Sequence, residues 1–151
     1  MTKGLIVCGL MFGDEGKGSI VDAVVRETGA DLVVRFNGGA QAGHNVVTPD
    51  GRHHCFSQIG AGTFAGARTF LSRYVMFDPL AFAAEAVVLE RTGFTFRPGL
   101  VTVSPVAPLL TPWHRAMNQL RELSRGDERH GSCGIGIGEL ARDVSDYATD
   151  L

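Results

Sequence analysis

The chain has 151 residues, of which 44% are hydrophobic and 20% are charged, and its formal net charge is -2. This length allows one sizeable core and is short for two ordinary domains, so a single domain over residues 1–151 is predicted. The slightly acidic balance lacks the basic stripe that binds nucleic acid or anionic lipid, and neither partner is expected.

The N-terminus and the cysteines bear on the cellular compartment. The apolar run that ends at Gly13-Asp14-Glu15 is too short for a signal peptide or a membrane span. Cys8, Cys55 and Cys133 lie far apart and form none of the close pairs typical of zinc or redox motifs. Three free thiols suit a reducing compartment, and we expect a cytoplasmic protein.

The opening of the chain predicts a strand, a helix and a second strand. Residues 4–9 are a short apolar run between glycines, which is typical of a buried strand. Apolar residues then recur at helical spacing from residue 20 to residue 25, and Thr28-Gly29 ends that helix. Residues 31–36 are a second extended run. This order of elements implies parallel pairing of the strands.

The middle of the chain predicts a hairpin, a strand and a helix. Pro49-Asp50-Gly51 is a turn signal within residues 45–57, and residues 69–76 are another extended stretch. Asp78 is a good N-cap and Pro79 suits the first position of a helix that stops at Gly93. This helix is expected to be amphipathic and to pack on the sheet.

The last third predicts a strand at residues 100–104 and a helix that opens at Thr111-Pro112, with Met117, Leu120 and Leu123 on one face. The glycine-rich residues 130–138 should be a loop or an irregular strand, before a weak short helix over residues 139–147. The elements together predict an α/β fold: a mostly parallel open sheet with flanking helices, a β-hairpin and a P-loop-like phosphate-binding loop after the first strand.

The sharpest motif is Gly13-Asp14-Glu15-Gly16-Lys17-Gly18, at the passage from strand to helix. Amides at a helix N-terminus attract anions, and Lys17 adds a cation. The motif is not a standard P-loop, because Gly18 stands where Ser or Thr is required. Asp14 and Glu15 would repel a triphosphate, so Asp14 is a candidate Mg²⁺ ligand or base. The alternative is an ordinary turn whose acidic residues favour a helix start.

A second motif, residues 35–45, follows the next predicted strand. Parallel strands place both loops at one edge of the sheet, where ligands of open α/β sheets bind. His44 there is a candidate proton donor to a phosphate or a leaving oxygen. A lone loop histidine is more often bonded to backbone, but the neighbouring glycines and the matching first loop favour the functional interpretation.

These two motifs, with the later block Gly131-Ser132-Cys133-Gly134-Ile135-Gly136-Ile137-Gly138, closely resemble the nucleotide loops of adenylosuccinate synthetases. The three motifs have the family's order and near-family spacing. The resemblance covers this whole chain but only about the first third of a family enzyme. It implies a GTP-driven ligase that phosphorylates the 6-oxygen of IMP and then adds L-aspartate.

The resemblance also implies the roles of individual residues. Asp14 and His44 are the expected catalytic pair, acting as base and acid, and Asp14 with the Gly43 carbonyl is expected to bind Mg²⁺. GTP phosphates are expected at Gly13, Glu15, Gly16, Lys17 and Gly18. Substrate contacts are expected from Asn37, Gly38, Gln41, Ala42, Ser132 and Cys133.

Several positions depart from the family pattern. Gln41 replaces an Asn that faces the nucleotide, and Ser132 and Cys133 replace two threonines that meet its phosphate. The family segments that read guanine and grip aspartate have no counterpart here. The chain is therefore expected to work as a homodimer or with a second chain, on IMP or an analogue. The alternatives are a non-catalytic purine-nucleotide-binding module and an inactive fragment.

Overall fold

Three parallel strands form the main sheet. The computed structural model describes residues 3–148, so the outer ends of the predicted 1–151 domain lie outside the described residues. The helices, numbered in chain order, are α1 (Lys17–Thr28), α2 (Pro79–Glu90), α3 (Pro112–Ser124) and α4 (Ile137–Ala148). The strands are β1 (Leu32–Gly38), β2 (His44–Val47), β3 (His53–Phe56), β4 (Arg68–Val75) and β5 (Val101–Val103).

The sheet has the order β1-β4-β5, and both pairs are parallel. The register of β1 on β4 runs from Leu32 opposite Arg68 to Gly38 opposite Val75, with an irregularity after Arg35. Strands β2 and β3 form a separate antiparallel hairpin between β1 and β4 in the chain. The predicted α/β class, with its parallel sheet, flanking helices and hairpin, is confirmed.

Local chemistry explains where two of the helices begin or end. Helix α1 stops at Gly29, which has a φ of 67° and whose amide bonds to the carbonyl of Val25. Helix α2 begins because the Asp78 carboxylate accepts the amides of Leu80 and Ala81 at 3.1 and 3.0 Å. Both boundaries agree with the sequence predictions.

The core lies where the hairpin packs against α2 and the loop after β3. Its buried apolar residues are Val46, Phe56, Ile59, Ala61, Phe64 and Leu89. The rings of Phe56 and Phe64 meet edge to face with centroids 5.3 Å apart, a favourable aromatic geometry. The core therefore packs β2 and β3 against α2 and the loop after β3.

The predicted first strand does not form. Residues 4–9 are irregular, and Leu5 and Ile6 are 65% and 87% exposed. A strand buried on both faces needs apolar cover on each side, and the described residues supply no cover for this run. The prediction from the apolar pattern alone was therefore wrong, and the phosphate loop follows an irregular segment.

Helix α3 has the predicted apolar face but does not bury it. Met117, Leu120 and Leu123 are all exposed, as is Trp113 in the first turn. Helix α4 is longer than the weak helix predicted from the sequence. The three cysteines are free, as expected. Within residues 3–148, no helix combines the length and the apolarity needed to cross a bilayer.

Candidate functional site

The loop before α1 has the backbone of an anion cradle. Gly13, Asp14 and Gly16 have φ values of 109°, 54° and 70°, in the left-handed region that only glycine, asparagine and aspartate adopt readily. This conformation leads directly into the N-terminus of α1, whose first amides lack helical partners. Successive amides in such turns bind anions.

Lys17, the cation of this loop, is paired with Glu15. The ammonium group donates to Glu15 Oε2, while Glu15 Oε1 accepts the amide of Met11 at 2.6 Å. The hydrogen bond from Lys17 has the largest effect on the pKa of Glu15, and together with the bond from Met11 it holds that pKa below its ordinary value. An anion in the loop must therefore compete with the Glu15 carboxylate for Lys17.

Gly18 brings this loop against the second motif. It is buried in the first turn of α1, and a Cβ there would lie 2.7 Å from the carbonyl carbon of His44 and 2.9 Å from the Asn45 oxygen. The next residue, Ser19, donates its hydroxyl to the same Asn45 oxygen at 3.1 Å. The α1 helix and β2 therefore touch backbone to backbone, and this contact places His44 beside the loop.

His44 is half-buried at the start of β2. Its Nδ1 lies 3.3 Å from the carbonyl oxygen of Phe56, the residue opposite on β3. Burial lowers the pKa of His44 most, and the charges of Arg35 and Lys17 lower it further. The bond to Phe56 and the charge of Glu85 oppose these effects. The imidazole is therefore biased toward its neutral form in the absence of an anion.

This bias predicts the pH behaviour of the free chain. We expect an NMR titration of His44 to have its midpoint below the ordinary value of 6.5. The unfolded chain then binds the proton more readily, so this group's contribution to stability is complete above pH 6.5 and is lost as the pH falls. The same resonance in denaturant is the reference, and a folded midpoint at or above 6.5 would contradict the prediction.

A cavity of about 900 Å³ connects the two motifs. It lies between the irregular residues 4–9 and strand β1. The predicted site residues that line it are Gly13, Glu15, Lys17, Asn37, Gly38, Ala42 and His44. Five other predicted residues of these motifs do not line the cavity but are next in sequence to residues that do: Asp14, Gly16, Gly18, Gln41 and Gly43.

The third motif lies apart from this cavity. The Gly131 and Ser132 amides donate to Glu122 of α3, and the Ser132 hydroxyl donates to Asn118 at 3.2 Å. Ser132 and Cys133 are both exposed. The end of the motif does approach the second one, since a Cβ on Gly39 would lie 2.6 Å from Ile137 Cδ1. The structure therefore brings the first two motifs together and leaves Ser132 and Cys133 on α3.

Asp14 is exposed, and its carboxylate has no hydrogen bond or ion pair with the rest of the described chain. Residues 3–148 contain no group of three or more His, Cys, Asp or Glu side chains arranged to hold a metal ion. Any cation here would have to take most of its ligands from water or a phosphate, as Mg²⁺ commonly does.

Two charged residues that the sequence analysis did not select are built into the site. The half-buried guanidinium of Arg35 donates to the carbonyl of Ser57, and burial lowers the pKa of Arg35. The buried Glu85 accepts backbone amides of the same segment, at Ser57 and Gln58. Glu85 is an isolated charge within an apolar stretch of α2, and that isolation was the available signal.

Comparisons with known proteins show to which family the chain is related. The sequence profile of the family described as adenylosuccinate synthetase matches residues 6–146. An adenylosuccinate synthetase of Alkalilimnicola ehrlichii is 40% identical over 144 residues, which are 95% of this chain and 32% of that protein. One of Desulforapulum autotrophicum is 37% identical over 139 residues, again 32% of its length. The chain thus spans about a third of these relatives.

Solved structures give the same result. The fully ligated adenylosuccinate synthetase of Plasmodium falciparum superposes with a TM-score of 0.72 at 27% identity, over 86% of this chain and 30% of that one. The succinoaminodeoxyadenylate synthetase of cyanophage S-2L has a TM-score of 0.58 at 18% identity, over 87% and 40%, and shares the fold. The profile match over most of the sequence establishes that the chain belongs to the adenylosuccinate synthetase family.

Proposed function

We propose that residues 1–151 form one domain that carries the phosphate-transfer part of a purine-nucleotide ligase. The reaction is GTP-driven phosphorylation of the 6-oxygen of IMP or a close analogue, followed by displacement of phosphate by L-aspartate. The observation that supports this most is the meeting of the Lys17 loop and His44 at one cavity. Phosphoryl transfer depends on positioning and on charge stabilisation, and the cavity offers both.

Asp14 and His44 are the proposed catalytic pair. The Asp14 carboxylate is unpaired and exposed, so it is free to accept the N1 proton of the purine. His44 bonds to backbone through Nδ1 and has Nε2 available to donate to the transferring phosphate. An incoming phosphate would favour the imidazolium by its negative charge and so offset the effect of burial.

The donor set fits a magnesium ion. Mg²⁺ is commonly held by one or two protein oxygens together with waters and substrate phosphates, and the free Asp14 carboxylate and the exposed Gly43 carbonyl are proposed as those oxygens. The ion would neutralise phosphate charge and lower the repulsion between GTP and the two loop carboxylates.

The remaining site residues are proposed to bind the two nucleotides. Lys17 and the loop formed by Gly13, Glu15, Gly16 and Gly18 hold GTP phosphates, which requires Lys17 to exchange Glu15 for a phosphate oxygen. The purine substrate contacts Asn37, Gly38, Gln41, Ala42, Ser132 and Cys133. The last two are exposed in the loop between α3 and α4, so this loop must move toward the cavity when substrate binds.

Lys17→Ala tests this proposal by calorimetry with GTP and Mg²⁺. Charge-assisted hydrogen bonds contribute about 1.5–3 kcal/mol, so we expect affinity to fall roughly 10- to 100-fold. Lys3→Ala, which removes the other lysine of the chain at an exposed position, is the matched control and should bind like the wild type. Equal affinity of the two variants, or no binding of GTP to the wild type, would reject the assigned role of the loop.

A second candidate function is a purine-nucleotide-binding module that performs no chemistry. The position of the third motif outside the cavity, with Ser132 bonded to Asn118, favours it. It predicts nucleotide binding without phosphate release, whereas the ligase proposal requires turnover with GTP, IMP and aspartate. For either function we propose a cytoplasmic protein that works as a homodimer or with a second chain, and the exposed apolar face of α3 is suited to such a contact.

A further inference from the structure

Helix α2 buries a carboxylate that the proposed mechanism does not use. Glu85 is only 7% exposed, and its carboxylate accepts the amides of Ser57 and Gln58, both at 2.7 Å. The amide of Ile59 lies 3.3 Å from each of its oxygens. Three consecutive amides therefore converge on one buried side chain.

These backbone amides are hydrogen-bond donors to the Glu85 carboxylate. Within the described chain, no lysine or arginine forms an ion pair with it, and the nearest basic group is His54 Nε2 at 3.8 Å. That nitrogen is buried and has no hydrogen-bond partner. A buried charge is costly unless it is hydrogen-bonded, so Glu85 and the 57–59 segment fix one another's position.

The same segment holds the candidate acid. The Phe56 carbonyl, which accepts from His44, and the Ser57 amide, which donates to Glu85, belong to one peptide group. A peptide group is planar, and in its trans form the C=O and N–H point in opposite directions. Glu85 and His44 therefore bind the two sides of a single rigid unit.

The direction of each hydrogen bond follows from the chemistry of its partners. A carbonyl oxygen can only accept, so the contact between Phe56 and His44 requires the proton on Nδ1. The neutral imidazole then has its lone pair on Nε2, the nitrogen left free in the cavity. A carboxylate bonded to the amide side also polarises the peptide and strengthens its carbonyl as an acceptor.

Neighbouring contacts fix this peptide from other sides. The Ser57 hydroxyl donates to the Ala40 carbonyl at 2.7 Å, which connects it to the glycine loop of the second motif. The Gln58 side chain bonds both the amide and the carbonyl of Asp78, at 2.8 and 2.6 Å. The peptide therefore has little freedom to rotate away from His44.

We propose that Glu85 is a positioning residue for His44 and acts through the Phe56–Ser57 peptide to set which imidazole nitrogen carries the proton. The arrangement is a carboxylate–histidine pair with a peptide group inserted between its members. In ordinary pairs of this kind the carboxylate orients the ring and selects its tautomer. The importance of this tautomer for catalysis rests on the proposed ligase role of His44. The contacts of Glu85 and His44 with the peptide do not depend on that role.

The test is the tautomer of His44, read from its imidazole ¹⁵N shifts in the whole chain at a pH where the ring is neutral. The wild type should carry the proton on Nδ1. In Glu85→Gln the amide group can accept fewer of the three donors, so the tautomer ratio should shift toward Nε2–H. Hydrogen exchange at the Ser57 amide should accelerate by about tenfold or more, because a charge-assisted bond is lost.

Glu90→Gln is the matched control, because Glu90 is an exposed glutamate on the same helix, and it should leave both readouts unchanged. A Glu85→Gln variant with faster exchange and an unchanged tautomer would make Glu85 merely structural and overturn the proposal. If this variant does not fold, Glu85→Asp, which keeps the charge and shortens its reach, replaces it: a tautomer shift toward Nε2–H supports the proposal, and faster exchange at Ser57 with an unchanged tautomer refutes it. A neutral wild-type His44 protonated on Nε2 refutes the proposal in either case.

These readouts need no nucleotide. Failure of GTP binding or turnover would reject the proposed function and leave the tautomer result intact, while an Nε2–H tautomer would reject the Glu85 role and leave the binding tests unaffected.

Discussion

Asp14→Asn is expected to reduce GTP-dependent phosphate release with IMP and aspartate by about 10²- to 10⁴-fold, the usual contribution of a general base. The substitution keeps the size of the side chain and removes the proton acceptor and the negative ligand for Mg²⁺. Because Asp14 is exposed and unpaired, the change should cost almost no stability. A loss of turnover would therefore reflect a chemical role of Asp14 and not unfolding of the chain.

The assay should be done on the chain alone and on a fusion in which it replaces the matching third of the Alkalilimnicola ehrlichii relative. Asp31→Asn is the matched control: its side chain is 83% exposed and pairs with Arg68, away from the cavity. If Asp14→Asn and Asp31→Asn turn over at the same rate, Asp14 is excluded as the base. Absence of turnover in both forms of the wild type would favour the binding module.

Gly18→Ala is expected to destabilise the chain, because Gly18 is buried in the first turn of α1. The added methyl group would meet the backbone of His44 and Asn45 below 3.0 Å, so α1 or β2 must move. Overpacking of this kind costs about 1–3 kcal/mol. Urea unfolding followed by circular dichroism measures the loss, and His44 should show altered NMR shifts because its strand is displaced.

Gly138→Ala is the matched control, since Gly138 also lies in a helix and has no atom within 4 Å of an added Cβ. Neither glycine has left-handed backbone. Replacement there should stabilise the chain by up to about 1 kcal/mol through helix propensity. Equal free energies of unfolding for the two variants would mean that the contact between α1 and β2 is not tight in solution.

The elements that could be predicted from sequence are those whose ends depend on neighbouring residues. Asp78-Pro79 starts a helix and Gly29 ends one through local hydrogen bonds, and Pro49-Asp50-Gly51 makes its turn without help from distant parts of the chain. Residues 4–9 could not be assigned in the same way. An apolar run forms a buried strand only when it pairs with another strand and packs against an apolar layer.

The candidate site shows the same limit. Lys17 and His44 could be selected because each lies in a glycine loop whose chemistry is visible locally. Arg35 and Glu85 could not, because their roles arise from contacts with a segment more than twenty residues away. The third motif was predicted from its glycines, but its distance from the cavity depends on how α3 and α4 pack.

The backbone contact at Gly18 has a thermodynamic consequence. A ligand that repositions α1 as it draws Lys17 away from Glu15 must also displace the strand that carries His44, because Gly18 of α1 packs directly against the backbone of that strand. The affinities at the two ends of the cavity are then linked, and linkage is reciprocal. Under the proposed function, any factor by which GTP changes the affinity for the purine substrate equals the factor by which the purine substrate changes the affinity for GTP.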